Sequence, residues 1–459
     1  MSYQLLSRFT LPAFIQTKEQ TFFKHGLIVF MSFVIGKLLA LLWKLLLARQ
    51  GVEVLGSAQL LLSFIFIVSS FSLLGFHTTL IRFIGISPLK SRKKTGNYLF
   101  LTTLVTCLLI SGVIVGVLVL FPSLLELLFT IPTSLRSSAL LLALIIPCMV
   151  FNEIAWNYLR AFGQITQTSL QQYVLFPLYR LVILVLLLAT TISREVVLVL
   201  HLVLSFALTT VTLIFSQPSL IKWKSYTFNY KKVKPFFAYS LPLSGSFVLY
   251  SVYSSLDIII LNSVKGLTTV GLWSGLLVIL DTVDIFYLPF LNLIPYYLNF
   301  AYKDLQAGWR FVAKLMAVFM VAGLGVSAIY FLLSASIIRL LLGPEFMLLQ
   351  AIFFPFILVK IFHSSILLPF RHLLDFYGYA QATFIAMLVA FIVKVCLLVA
   401  VLPHYGWEWL AAIHLAADLV NIVVCMVAVV VMMANHKKLS RAHFIQYATD
   451  FNLPFLRKG

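Results

Sequence analysis

Long apolar runs alternate with short polar segments, mostly basic, from residue 25 to residue 434. The runs fall at 25–48, 57–86, 96–121, 135–160, 167–190, 196–217, 236–262, 269–298, 309–334, 347–376, 378–402 and 408–434. Most are close to the ~20 residues that span a ~30 Å hydrocarbon core at about 1.5 Å rise per residue. This pattern predicts an all-α polytopic membrane protein with twelve crossings. The runs at 57–86, 269–298 and 347–376 exceed what a bilayer requires, so they are expected to tilt or protrude. Pro289 and Pro295 interrupt the eighth run, and Pro355 and Pro369 the tenth. Proline frees a backbone carbonyl that a neighbour or water must then satisfy, so bends are expected there.

Composition fits this pattern: 62% of residues are hydrophobic and 10% are charged. Little chain is left for a soluble domain. The formal charge of +19 reports topology. Lys and Arg gather at the N-terminus, around Lys90–Lys94, at Arg160, in 218–235, at Lys303–Lys314, at Arg371 and in the C-tail. Only Arg49, Arg136, Arg194, Lys265 and Arg339 fall on the other side. The positive-inside rule then places both termini in the cytoplasm. Scattered loop cations suit anionic lipid headgroups, and no nucleic-acid-binding module is present. The first run starts after about two dozen residues and leads into further spans, unlike a cleaved signal peptide. Cys107, Cys148, Cys396 and Cys425 all sit in apolar runs without metal-ligand spacing, and are expected to be buried, inert thiols.

The polar stretch 218–235 divides the chain into an N-terminal six-helix unit, 1–217, and a C-terminal one, 236–434, followed by a cytoplasmic tail, 435–459. Six is even, so both units begin on the cytoplasmic side, as parallel repeats would. GVEVLG, Gly51 to Gly56, joins the first two spans of the first unit, and GLTTVG, Gly266 to Gly271, joins those of the second. Matching glycine spacing at matching positions supports duplication, and glycine suits tight turns.

Six cations, Lys37, Lys44, Arg82, Arg180, Lys360 and Lys394, and five acids, Glu153, Asp257, Asp281, Asp284 and Asp418, lie within spans. Each costs about 2.5–3.5 kcal/mol at mid-membrane, or ~30 kcal/mol together. Folding stability is typically ~5–15 kcal/mol. Most of these groups must therefore line a wet cavity or pair with one another. Lys37, Arg180 and Lys360 are central and are expected to line a cavity, where fixed cations would bind an anionic headgroup. Lys44, Arg82 and Lys394 are further candidates for the same lining, although Lys44 and Arg82 could instead snorkel to an interface. Asp281 and Asp284 share a helix face, so they either perturb one another enough to carry a proton or neutralise cations on neighbouring helices. Glu153 and Asp257 have the same two readings. His77, His363 and His414 are expected to be buried and hydrogen-bonded. No nucleophile–base set, metal cluster or nucleotide-binding loop is present, so neither an enzyme nor a cofactor is called for.

Four segments carry a family resemblance. LLLARQGVEVLGSAQLLLSF (45–64), LLGFHTTLIRFIG (73–85), YSLPLSGSFVLYSVYSSLDIIILNSVKGLTTVGLWSG (239–275) and LLLGPEF (340–346) resemble Wzx-type lipid-linked oligosaccharide flippases. These are O-antigen and polysaccharide transporters within the multidrug/oligosaccharidyl-lipid/polysaccharide (MOP) exporter superfamily. The resemblance implies two six-helix bundles around a central cavity in the bacterial inner membrane. It also implies alternating-access transport of a polyprenyl-pyrophosphate-linked glycan, with membrane lipids and other polysaccharide export proteins as partners. Two alternatives stand beside it. A small-cation or drug exporter of the same superfamily would favour an acidic cavity, whereas six cations face five acids here. A membrane polysaccharide polymerase or ligase would carry a long catalytic outer loop, and the longest outer segments, near 122–134 and 335–346, are short.

Overall fold

In hydrocarbon every backbone amide must be bonded within its own segment, which a helix achieves. A computed structural model describes residues 16–85, 87, 89–131, 136–143, 145–217, 220, 230–291, 294, 298, 305–377 and 379–436, with no strand among them. Among the described residues twelve helices are long and apolar enough to cross a membrane. They are α1 (Leu27–Arg49), α2 (Val52–Leu73), α3 (Ser91–Leu120), α4 (Arg136–Ala161), α5 (Ile165–Leu188) and α6 (Arg194–Ser216). After the linker come α7 (Val233–Lys265), α8 (Leu267–Ile285), α9 (Gly308–Leu341), α10 (Pro344–Asp375), α11 (Gln381–Val401) and α12 (Trp407–Ala434).

Four features interrupt or add to the run of regular helices. The second run is not one tilted helix. It breaks at Leu74 and Gly75, both at positive φ, and resumes as a short helix, Phe76–Gly85. Gly75 lies against the backbone of Leu243 and Ser244 on α7, and a side chain there would crowd it. In α10 a π-helical turn, His363–Leu367, ends two residues before Pro369, whereas Pro355 lies inside the α-helix Gln350–Phe362. The extra residue accommodates a ring that cannot donate to the ladder. α5 has the same device at Leu170–Leu175, ahead of Pro177. The outer segment near 122–134 contains a helix, Ser123–Phe129. Pro289 lies within a helix running to Leu291, whereas Pro295 is outside the described residues.

Packing between α1–α6 and α7–α12 runs mainly through α1, α2 and the Phe76–Gly85 helix against α7 and α8. The two glycine turns meet at the end remote from the linker. A side chain on Gly56 would strike the Leu267 carbonyl, and one on Gly271 would strike the Val52 carbonyl. Residues at equivalent places in the two turns thus make reciprocal contacts. The same end is fastened by Arg49 Nη2 donating to the Leu340 carbonyl at 2.7 Å and Thr268 Oγ1 to Glu53 at 3.0 Å. Asn262 Nδ2 adds a bond to the Thr130 carbonyl at 2.6 Å.

Toward the opposite end, α2 and the Phe76–Gly85 helix meet α7 through hydroxyls and rings. Ser70 and Ser251 lie 2.5 Å apart, and Ser240 donates to Thr79 at 2.9 Å. Phe76 stacks on Phe236 at 5.7 Å between centroids. Two of the four cysteines, Cys107 and Cys425, are buried as expected. Cys148 is half-buried and Cys396 is exposed on α11, which corrects the expectation for that thiol.

Candidate functional site

α1 and α8 cross the seam between the halves in opposite chain directions, and their charges meet in register. Lys44 donates to Asp281 at 2.6 Å. Lys360, from α10, lies 3.0 Å from Asp284, and Lys37 lies 4.0 Å from the same carboxylate oxygen. The two acids share a helix face, yet each is matched to a cation. Of the two readings considered from the sequence, this geometry matches the pairing with cations on neighbouring helices. Lys44 is likewise paired across the seam rather than extended to an interface. Two lysines on one carboxylate leave a surplus positive charge, and Lys37 and Lys360 each keep 25% of their side-chain surface exposed.

Arg180 belongs to neither pair. It lines a cavity of about 360 Å³ with Gln59, Ser63, Glu153, Trp156, Phe176, Ser255 and Leu277 among its walls. Its guanidinium lies 4.0 Å from the Trp43 ring centroid and 5.4 Å from that of Phe176. The Trp43 indole is held in place by donating to His201 Nε2 at 3.0 Å, and His201 Nδ1 bonds the Val197 carbonyl at 2.8 Å. Sequence reasoning missed Trp43 and His201. The signal was a histidine and a tryptophan inside apolar runs, where each needs a partner. Among the described residues the Glu153 carboxylate has no ion pair or hydrogen bond. That sets it apart from the other span acids.

Lys394 was expected among the cavity cations, and the structure places it elsewhere. It is fully buried in the second half, bonded to Asp257 at 2.9 Å and to the Tyr253 carbonyl at 2.8 Å. Lysine at that depth needs a carboxylate, and Asp257 occupies it. His414 shares Asp257 at 2.8 Å and stacks on Trp273. Asp418 accepts from Tyr253 at 3.1 Å and meets His363 at 3.0 Å. Thus His363 and His414 are hydrogen-bonded, whereas His77 packs edge-on to Phe247 with Nδ1 buried and unpartnered among the described residues. The side chain of Arg82 lies outside the described residues. Among the described residues no group of His, Cys, Asp and Glu could hold a metal ion.

Twelve apolar helices packed around charges that meet across a seam define a multi-pass helical membrane protein with a polar interior. Its fold is that of solved MOP-superfamily transporters. One is a multidrug resistance MATE family transporter in an inward-facing conformation, with TM-score 0.70, 15% identity, and coverage of 90% of this chain and 99% of that one. Another is a MOP superfamily transporter from Pyrococcus furiosus, described by the reverse polarity of its binding pocket and a suggested different function. It gives TM-score 0.68 at 15% identity, over 91% of this chain and 97% of that one. An outward-facing MATE transporter gives TM-score 0.67 at 15% identity, with the same coverage. Residues 22–300 match the polysaccharide biosynthesis protein family, and the chain belongs to that family. No curated protein matches it by sequence.

Proposed function

We propose that the protein moves a polyprenyl-pyrophosphate-linked glycan from the inner to the outer leaflet of the bacterial cytoplasmic membrane by alternating access. The observation that carries this reading is the cluster in which Lys37 and Lys360 share the single carboxylate of Asp284. A pyrophosphate leaving water loses strong solvation. Two accessible ammonium groups, one from each half, replace part of it with charge-assisted hydrogen bonds. Membership of the polysaccharide biosynthesis protein family supports a glycan as the cargo. The transporter fold supports translocation rather than bond-making chemistry. With the termini cytoplasmic, the fastened glycine-turn end faces outward, so the cargo enters this conformation from the cytoplasmic side.

The test is removal of the protein from its own cells, followed by leaflet-resolved analysis of lipid-linked glycans. Accumulation of a polyprenyl-linked glycan in the inner leaflet, reversed by the wild-type chain but not by Lys37→Ala/Lys360→Ala, is the expected result. Unchanged leaflet distribution would refute the reading.

A further inference from the structure

Backbone strain stands at one of the places where the two halves are fastened. Among the described residues only Leu74 and Thr130 take a positive φ without being glycine. We propose that Thr130 is a spring-loaded latch. Asn262 of α7 holds its strained backbone while the halves are joined at the glycine-turn end, and the strain is released when they part there. The latch acts on the protein whatever its cargo.

The strain comes from the residue type at the turn. Thr130 follows the helix Ser123–Phe129 at φ 52° and ψ 30°, the left-handed cap position. Glycine, or sometimes asparagine, ordinarily stands there, because a Cβ crowds the backbone in this conformation. A β-branched side chain crowds it most. The cap's own bonds hold the turn loosely: Thr130 N–H donates to the Glu126 carbonyl at 3.0 Å, but Ile131 N–H reaches the Leu125 carbonyl only at 3.3 Å.

What threonine adds is a grip on the other half. Asn262 Nδ2 donates to the Thr130 carbonyl at 2.6 Å and to its Oγ1 at 3.0 Å. The hydroxyl hydrogen faces two carbonyls, Phe129 at 2.7 Å and Ile259 of α7 at 3.2 Å. One α7 amide therefore takes hold of both acceptors that the left-handed turn presents to it. Glycine would form the same turn without strain and without the hydroxyl.

Each partner is tied to its own half. Phe129 packs edge-on to Phe64 of α2 at 4.9 Å between centroids, and Leu125 and Ile131 are fully buried. Five residues before Asn262 on α7, Asp257 bonds Lys394 and His414. Parting the halves thus breaks the Asn262 bonds rather than dragging either partner along. The joined state gains those bonds and carries the strain, and the parted state loses both. The two terms oppose each other, so the latch opens without the full cost of its hydrogen bonds. The other ties at this end, Arg49 to Leu340 and Thr268 to Glu53, involve no strained residue.

The experiment measures distances between spin labels by double electron–electron resonance, on the full chain in nanodiscs without ligand. The labels sit at Ser193→Cys and His404→Cys, exposed positions at this end on opposite halves, with the four native cysteines changed to alanine. Thr130→Val and Thr130→Gly both delete the hydroxyl, but only valine keeps the strain. Asn262→Ala deletes the grip. Thr130→Val and Asn262→Ala should each raise the ratio of long to short distances about tenfold, which equals ~1.4 kcal/mol. Thr130→Gly should keep that ratio at least about fivefold below the valine variant, because it alone removes the left-handed penalty. Glycine's extra chain freedom favours the parted state, so it cannot mimic this result. Equal shifts for glycine and valine mean that Thr130 stays left-handed when the halves part, and refute the spring. An unchanged ratio in all three variants refutes the latch altogether. If Thr130→Val fails to accumulate, Thr130→Ala replaces it, since it also keeps a Cβ in the turn without the hydroxyl, and the same comparison with glycine decides.

Discussion

Lys37→Ala and Asp284→Asn remove opposite members of one ion cluster, and the geometry assigns them opposite consequences. At an effective dielectric of about 20, the 3.0 Å contact between Lys360 and Asp284 gives ~5.5 kcal/mol of gross attraction, and the 4.0 Å contact from Lys37 gives ~4 kcal/mol. Dehydration of the three groups offsets most of this. Asp284→Asn loses both attractions and strands two ammonium groups beside each other. Breaking a buried pair in this way typically costs about 3–5 kcal/mol. Lys37→Ala leaves the Asp284–Lys360 pair intact and neutral and relieves the repulsion between ammoniums. Its stability cost should stay below ~1 kcal/mol, as for partly exposed pairs.

Ligand binding should respond the other way. Lys37→Ala removes the surplus charge and with it charge-assisted contacts worth about 1.5–3 kcal/mol. Affinity for bare polyprenyl pyrophosphate should fall roughly tenfold to a hundredfold. Lys37→Arg should retain part of it, since a loosely held phosphate responds chiefly to charge. Thermal melting of the purified protein, read beside binding to nanodisc-embedded protein, separates the two effects. If Lys37→Ala lowers the melting temperature as far as Asp284→Asn and leaves binding unchanged, Lys37 is a structural strut and the cationic-site argument is wrong.

Three further outcomes are expected. A reporter active only outside the cytoplasm should work when fused after Arg49, Arg194 or Lys265 and fail after Lys94, Lys232 or Lys438; activity at Lys232 would overturn the six-plus-six division. Gly271→Val should push α8 away from the Val52 carbonyl and loosen the glycine-turn end, so disulfide formation between Glu53→Cys and Thr268→Cys should slow at least severalfold, and unchanged cross-linking would contradict the close approach. Asp257→Asn should destabilise by about 3–5 kcal/mol by isolating buried Lys394, and Asp257→Leu/Lys394→Met should restore most of the lost membrane abundance; no rescue would mean that the pair does more than neutralise itself.

The helices were legible because the apolar runs are long and a bilayer permits few backbone solutions. The glycine turns were legible by spacing alone. Their reciprocal contact was not, because it depends on two helix starts meeting across a seam. Pairing was the least legible feature. Lys37 and Lys44 are seven residues apart on one helix, and Asp281 and Asp284 three apart on another. Only the opposed directions of α1 and α8 decide which meets which. Lys394 looked like its fellow cations in sequence, and its full burial follows from how α7 and α11 pack. The π-helical turns had a readable cue in Pro177 and Pro369. The break at Leu74–Gly75 had one in Gly75, inside a run that hydropathy alone made continuous. Trp43 and His201 required reading single polar atoms in apolar helices, which composition conceals.

The two halves treat their charges differently, and the difference bears on how a ligand would act. On α7 and α10–α12 the charges are matched locally: Lys394 and His414 on Asp257, and His363 and Tyr253 on Asp418. Among the described residues nothing in that network reaches the first half, and the one ion pair that ties these helices to α8 is Lys360 with Asp284. Among the described residues the first half's span charges are not matched within it. Lys37 and Lys44 lean on acids of α8, while Glu153 and Arg180 face the cavity. Any motion that separates α1 from α8 therefore costs the first half its counter-ions. An anion bound at Lys37 would replace the lost carboxylate, lowering the energy of the separated state relative to the joined one. A ligand shifts such an equilibrium only by its difference in affinity for the two states. On the proposed reading that difference would come from Lys37, whose only described ion-pair partner belongs to the other half.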